Sequence, residues 1–350
     1  AVDIGGTNTR ASTAILQDDR IVRHPRFSQL RQRKIQSKEG LAIFINEILK
    51  DLAGSRPGRC VIDFAGPVIG RKEAQMTNWS SKHTIHLKEL NDWGLPDGRT
   101  LMLNDMEAAA FGLLQLAEQH AIPSRVCITL YEPATLTYGQ PSNRILLAPG
   151  TGLGTVGIVA VKTRMGDLYE EPIASEIQHS AVSPLDDTHE RLIQWLKQKK
   201  KILKLPSWED FVSGQGLVDI YEGLHATSNS NKAARIKWKA GEDSAVLIAA
   251  HAVRQIDFVC ENALDLFYRC VGRVAQMMAL MYHPYGGIFL CGDSTRKNEL
   301  FIRRSRFVEE VHANSTQNAL LKHFPIFLVI QELNILGGLW ACKRRMHLCV

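Results

Sequence analysis

Over residues 40–53 the apolar side chains of Leu41, Phe44, Ile45, Ile48, Leu49 and Leu52 recur at spacings of three and four, which places them on one face of a helix with Ile43 off it. Elsewhere the apolar positions form short unbroken runs closed by glycine or by polar residues, the pattern of buried strands. Residues 60–65 end at Gly66-Pro67; residues 100–103 run into Asn104-Asp105 and an alanine-rich helix over 106–116; residues 286–291 end at Gly292-Asp293; 325–330 form another strand. Two stretches share a plan of strand, glycine turn and strand. In 3–16 the turn is Gly5-Gly6-Thr7-Asn8, and in 144–161 it is Gly150-Thr151-Gly152-Leu153-Gly154. Helices are predicted over 189–204 and 210–224, a polar surface excursion over 226–243, a helical stretch long enough for two helices over 245–281, and a closing helix over 335–346.

Composition narrows the class. The 350 residues are 45% hydrophobic and 22% charged, as in a globular protein, and the length suits two domains. No window approaches the roughly 18 consecutive apolar residues of a membrane helix, so no membrane partner is expected. The formal charge of +6 lies in short clusters interleaved with acids and accompanied by no DNA or RNA motif. Solvated surface and a polyanionic small ligand are expected, and nucleic acid is not. Seven cysteines form no C-x-x-C pair and lie mostly in apolar runs, which argues against a disulfide framework or a zinc site and for a reducing compartment, the cytoplasm. Only Ala1 and Val2 precede Asp3, fewer apolar residues than a buried first strand brings. The numbering is therefore expected to begin inside that strand, with room for an organelle signal upstream.

The glycine turns carry the first chemistry. Clustered backbone N–H groups hold phosphate tails, and glycine lets the chain approach without a Cβ in the way. Gly5, Gly6, Thr7 and Asn8, and Gly150, Thr151, Gly152 and Gly154, supply such groups twice, with hydroxyls from Thr7 and Thr151; a tight hairpin turn alone is the other reading of either loop. Gly152, Gly154 and Gly157 also satisfy G-x-G-x-x-G, but the dinucleotide fingerprint needs a helix next, whereas residues 155–161 are β-branched and strand-like. No Gly-Lys-Ser/Thr follows either loop, so the Walker A pattern is absent.

Seven motifs occur in order: Asp3-Ile-Gly-Gly-Thr-Asn-Thr-Arg10, Gly66-Pro67-Val68, Met76-Thr-Asn-Trp79, Leu103-Asn-Asp-Met-Glu107, Ala148-Pro-Gly-Thr-Gly-Leu-Gly154, Glu176-Ile-Gln-His179 and Ser213-Gly-Gln-Gly-Leu217. Together they resemble the glucokinase family of the bacterial type, also found in some protists, within the hexokinase and actin-like ATPase superfamily. The resemblance spans most of the chain. It implies an α/β, two-domain actin-like ATPase (ribonuclease H-like) fold with a central cleft, residues 1–103 with 331–350 forming a small domain and 104–330 a large one. It also implies ATP-dependent phosphorylation of a hexose, glucose at the 6-hydroxyl, with Asn78, Asn104, Asp105, Glu176, His179 and Glu209 around the sugar and Gly292 on the adenosine side. Carboxylates and amides suit a hydroxyl-rich ligand. Phosphoryl transfer is mainly positioning and charge stabilisation with an acid to take the attacking hydroxyl's proton, the role expected of Asp105. Asp3 is placed either to hold Mg²⁺ through water or to cap the turn.

The chain also departs from many relatives, which carry two glycines where it has Ile177-Gln178, and often a glycine pair where it has Gly292-Asp293. The cysteine-rich zinc motif of the related repressor and kinase group is missing and no helix-turn-helix precedes the first loop, which disfavours a sugar-responsive repressor. A catalytically silent sugar-binding sensor is the alternative, ahead of a chaperone or cytoskeletal ATPase, for which the sugar-side motifs would have no purpose. Oligomeric state is open, a homodimer included.

Overall fold

In a computed structural model the chain divides into two compact units, Ala1–Ile122 with Glu332–Val350, and Pro123–Gln331. The described residues are 1–5, 8–17, 20–22, 29–52, 56–76, 79, 83–119, 122–123, 125–134, 142–162, 166, 168–227, 236 and 242–344.

The first unit is built on a five-stranded sheet in the order Thr100–Asn104, Cys60–Phe64, Val2–Ile4, Thr9–Ala11, Arg31–Arg33. The first three are parallel and Thr9–Ala11 returns antiparallel to Val2–Ile4, so the chain reverses across the first glycine turn as expected. Register sets Asp3 beside Asp63 and Asp63 beside Leu103, which brings two acids together inside the sheet. The helix Lys38–Asp51 buries Leu41, Phe44 and Ile45; Ser37 caps it by accepting from the Gly40 N–H at 3.1 Å. It begins three residues before the apolar face does at Leu41, because a capping serine and the first-turn Glu39 contribute no apolar signal.

The helix Asp105–Glu118 was expected in the larger domain but belongs to the first unit, buried from Met106 to Leu116 and packed on the final helix Asn334–Arg344. Its apolar residues surround the helix rather than forming a stripe, so the sequence pattern does not say which neighbour it meets. A three-stranded sheet, Val68–Ile69, Glu73–Met76 and His83–His86, was not foreseen: its strands are short and polar, and their alternation is weak.

The second unit carries a six-stranded sheet in the order Cys127–Tyr131, Ile326–Val329, Ile288–Leu290, Arg144–Pro149, Leu153–Lys162, Leu168–Ser175. The expected stretch 245–281 is two helices, Ser244–Val253 and Phe258–Tyr282, broken where Gln255 takes a φ of +57° and Asp257 caps the second by accepting from the N–H groups of Val259 and Cys260. The helix expected from 210 starts instead at Gly214. Trp208–Asp210 forms a 3-10 turn, and a Cβ on Gly216 would come within 2.6 Å of the Phe211 backbone, so the glycine allows the chain to double back. Among the described residues no helix is long and apolar enough to cross a membrane.

Candidate active site

In the first unit the acids collect around the first glycine turn. Asp3, 1% exposed, is gripped by Arg10, whose Nε lies 2.7 Å from Oδ2 and whose second nitrogen also pairs with it; the same guanidinium reaches Glu332 at 3.2 Å. Burial opposes the charge on Arg10, but the surrounding carboxylates outweigh it and raise its pKa. Asp63 is fully buried, and neither of its oxygens finds an N–H or O–H donor among the described residues. Its pKa is driven well up, first by burial and then by the charges and hydrogen bonding of Asp3, with Asp105 and Glu332 adding to it. Protonation settles both difficulties, since a neutral Asp63 carries no buried charge and can donate its own O–H to Asp3. Burial also raises Glu332, with Arg10 opposing and Asp3 reinforcing the shift.

Asn104 and Asp105 sit where the strand Thr100–Asn104 turns into the helix Asp105–Glu118. Asn104 is the N-cap, accepting from the Met106 N–H at 2.9 Å, and its amide donates to the Gly66 carbonyl at 3.1 Å. Glu107 closes the cap by accepting from the Asn104 N–H at 3.0 Å, and Arg71 locks that buried carboxylate bidentately at 2.5 Å to each oxygen. Asp105 accepts from the Met106 N–H at 2.9 Å, and its carbonyl accepts from Asn334 Nδ2 at 3.2 Å. A carboxylate is thus held half-buried at a helix N-terminus, an end that favours negative charge.

In the second unit the strands Arg144–Pro149 and Leu153–Lys162 pair up to Pro149↔Leu153, and the Gly150 N–H closes the turn onto the Gly152 carbonyl at 2.7 Å. Space around a Cβ at Gly150 is open, and Thr151 is exposed. Gly152 faces the other way: a Cβ there would lie 2.2 Å from Glu209 Oε1, which accepts from the Leu153 N–H at 3.2 Å. Glu209 is therefore seated against the base of the turn. Its Oε2 lies 3.3 Å from His179 Nδ1, and Glu176 Oε2 lies 3.3 Å from His179 Nε2. A neutral imidazole has one N–H and can donate to only one of these carboxylates.

Gly292 follows the strand Ile288–Leu290, which runs parallel to Arg144–Pro149, and Ser294 donates its hydroxyl to the Pro149 carbonyl at 2.5 Å. With φ +104° and ψ 163°, Gly292 occupies a region almost reserved for glycine, although a Cβ would have room. Gly292→Ala is expected to cost about 1–3 kcal/mol of backbone strain. A thermal melt checks it; an unchanged midpoint would contradict the expectation.

Of the residues singled out in the sequence, Asp3, Gly5, Asn104 and Asp105 fall in the first unit, and Gly150, Thr151, Gly152, Gly154, Glu176, His179, Glu209 and Gly292 in the second. Asn8 closes the first turn by accepting from the Gly5 N–H at 3.1 Å, while Gly6, Thr7 and Asn78 lie outside the described residues. Asp63, Glu332, Arg71 and Ser294 were missed, and Gln178 stood out only as a departure from relatives. Of the four missed, only Asp63 left a signal, an acid inside an otherwise apolar strand.

The fold is the actin-like ATPase fold. Its likeness to solved structures covers almost the whole chain: glucokinase from Balamuthia mandrillaris in complex with glucose aligns at TM-score 0.79 and 24% identity, covering 98% of this chain and 92% of that one. A ROK family glucokinase from Streptomyces griseus in complex with glucose and AMPPNP aligns at TM-score 0.59 and 21% identity, covering 98% and 97%. Residues 1–346 match the model of the glucokinase family, and the chain belongs to that family. The glucokinase of Mesorhizobium japonicum is 28% identical over 353 residues, 99% of this chain and 91% of its own length, and that of a Nostoc species is 28% identical over 366 residues, 99% and 98%. The chain is accordingly a sugar kinase.

Proposed function

We propose that the chain transfers the γ-phosphoryl group of ATP to the 6-hydroxyl of glucose, with Asp105 as general base. The observation that carries this reading is the placement of Asn104-Asp105, fixed by the Gly66, Glu107 and Asn334 bonds at the end of an apolar strand. The attacking hydroxyl becomes a strong nucleophile as its proton leaves, so an acceptor held in place lowers the barrier where the charge develops. Asn104, Glu176, His179 and Glu209 bind the sugar hydroxyls, and Asn78 joins them by its motif. The backbone amides of the turns at Gly5–Asn8 and Gly150–Gly154, with Gly292 beside the second, hold the nucleotide.

The first-unit acids fit Mg²⁺. Asp3, Asp63 and Glu332 surround the Arg10 guanidinium, and among the described residues no three side chains could grip an ion directly. That suits an ion retaining its waters and held through Asp3. When bound, Mg²⁺ supplies charge neutralisation of the phosphates.

The test is hexose-dependent ADP release by the purified chain with Mg-ATP across a panel of hexoses. Glucose is expected to be turned over; turnover of none would sink the reading, and binding without turnover would favour the non-catalytic sensor. Glu176→Gln is expected to raise the glucose KM about tenfold or more, the worth of a hydrogen bond to a charged group, with a smaller change in kcat. An unchanged KM removes Glu176 from the sugar site.

A further inference from the structure

Gln178 lies in the 3-10 turn Ile177–His179 and is 5% exposed, unusual for an amide in a surface turn. A buried amide must bond at both ends, and this one does. Its Nε2 donates to Glu176 Oε2 at 2.7 Å, and its Oε1 accepts from Thr155 Oγ1 at 2.9 Å. An ionised carboxylate has no proton to give, so the NH₂ end must face Glu176, which leaves the carbonyl end for the hydroxyl. Thr155 is itself buried, on the strand that leaves the second glycine turn, and register sets it opposite Ser175, whose carbonyl lies 3.1 Å from the same hydroxyl.

Glu176 differs from its two supports. Its side chain is 53% exposed, and Oε1 has no partner among the described residues. A free glutamate in that position would lose about 1.5–2 kcal/mol of rotamer freedom when a ligand fixed it. With Oε2 already held by a buried amide and flanked by His179, much of that ordering precedes the ligand, and Oε1 is left to accept from a hydroxyl.

We propose that Gln178 is a positioning residue for sugar binding: through a relay from Thr155 it holds Glu176 in its ligand-ready rotamer, so that the strand leaving the phosphate turn also organises the sugar carboxylate. The proposal rests on the reading of Glu176 as a sugar ligand.

The experiment is steady-state kinetics of the full chain with glucose and Mg-ATP for Gln178→Met, Glu176→Gln and the double variant. Methionine keeps the length and bulk of the side chain and removes the donor. Gln178→Met is expected to raise the glucose KM about tenfold, as for a lost hydrogen bond to a charged partner, with kcat held within about threefold. In the Glu176→Gln background the same change should add less than about twofold, because a residue acting through Glu176 has nothing left to position. A merely structural role would lower thermal stability without this coupling. Thr155→Val, which keeps the shape and removes the hydroxyl, should raise KM in the same direction and by less, and carries the test if Gln178→Met does not fold. If Glu176→Gln raises KM while Gln178→Met leaves it unchanged, or the two effects multiply independently, the proposal is overturned and the sugar role of Glu176 stands. If Glu176→Gln leaves KM unchanged, both fall.

Discussion

Asp105→Asn is expected to keep glucose binding within about threefold while kcat falls about 10²–10⁴-fold, the usual worth of a general base. The substitution keeps size and shape, and an asparagine side-chain oxygen can still accept from the Met106 N–H as Asp105 Oδ1 does at 2.9 Å. The backbone bond from Asn334 and the Asn104–Glu107 cap involve other atoms and should survive. What the amide cannot do is take a proton from the attacking hydroxyl. Calorimetric glucose titration and ADP release read the two quantities separately. A kcat within tenfold of the wild type would remove Asp105 as base, and a large loss of glucose affinity would recast it as mainly a sugar ligand.

The sequence and structure agree most closely where a side-chain period meets a core on one side. The helix Lys38–Asp51 presents a single apolar face to the core of the first unit, so its register was legible to within two residues. The strand ends at Asn104 and Pro149 were legible because apolar runs stop there abruptly. Contacts made by polar residues across long sequence separations were not. Nothing near Arg71 announces that it will lock Glu107, 36 positions away, although that pair fixes the cap on which Asn104-Asp105 depends. Ile177-Gln178 was visible only as a departure from relatives. Its meaning depends on the strand Leu168–Ser175, which the pattern did not reveal because Glu170, Glu171 and Pro172 break its alternation. That strand sets Thr155 opposite Ser175, and only then does a glutamine two residues after Glu176 have a buried hydroxyl to meet.

The glycine turns show a related limit. Both were read as making room for phosphate, yet a Cβ at Gly152 would strike Glu209, so this glycine is required by a protein carboxylate whatever the ligand does. Composition identifies a position that tolerates no side chain. The structure identifies the atom that forbids it, and here that atom belongs to a residue read as a sugar ligand, linking the two halves of the proposed chemistry within one unit.

Gly337→Ala is expected to destabilise the first unit by more than about 3 kcal/mol, beyond the usual cost of overpacking. In the crossing of the final helix over Asp105–Glu118, a Cβ at 337 would lie 1.7 Å from the Ala108 carbonyl oxygen and 2.5 Å from the Gly112 nitrogen. The reciprocal position is as tight, with a Cβ at Gly112 falling 2.4 Å from the Leu333 oxygen. Because both obstacles are backbone, no rotamer change relieves them and the helices must separate. Separation pulls on Asn334, bonded to the Asp105 carbonyl, and on Glu332, paired with Arg10 beside Asp3. Any folded fraction should therefore also lose activity, since a displacement of about 1 Å at a reacting group can cost on the order of 10²-fold. Gly338→Ala is the comparison: its Cβ would lie 2.8 Å from the Ala1 Cβ and 3.8 Å from Asp63 Oδ2 and Val61 Cγ1, side-chain atoms rather than backbone, so a milder loss is expected. Urea denaturation and ADP release of the two variants compare them directly. Equal stabilities would contradict the backbone crossing, whereas a Gly337→Ala protein both unstable and slow would tie the position of the base to two glycines more than two hundred residues apart in the chain.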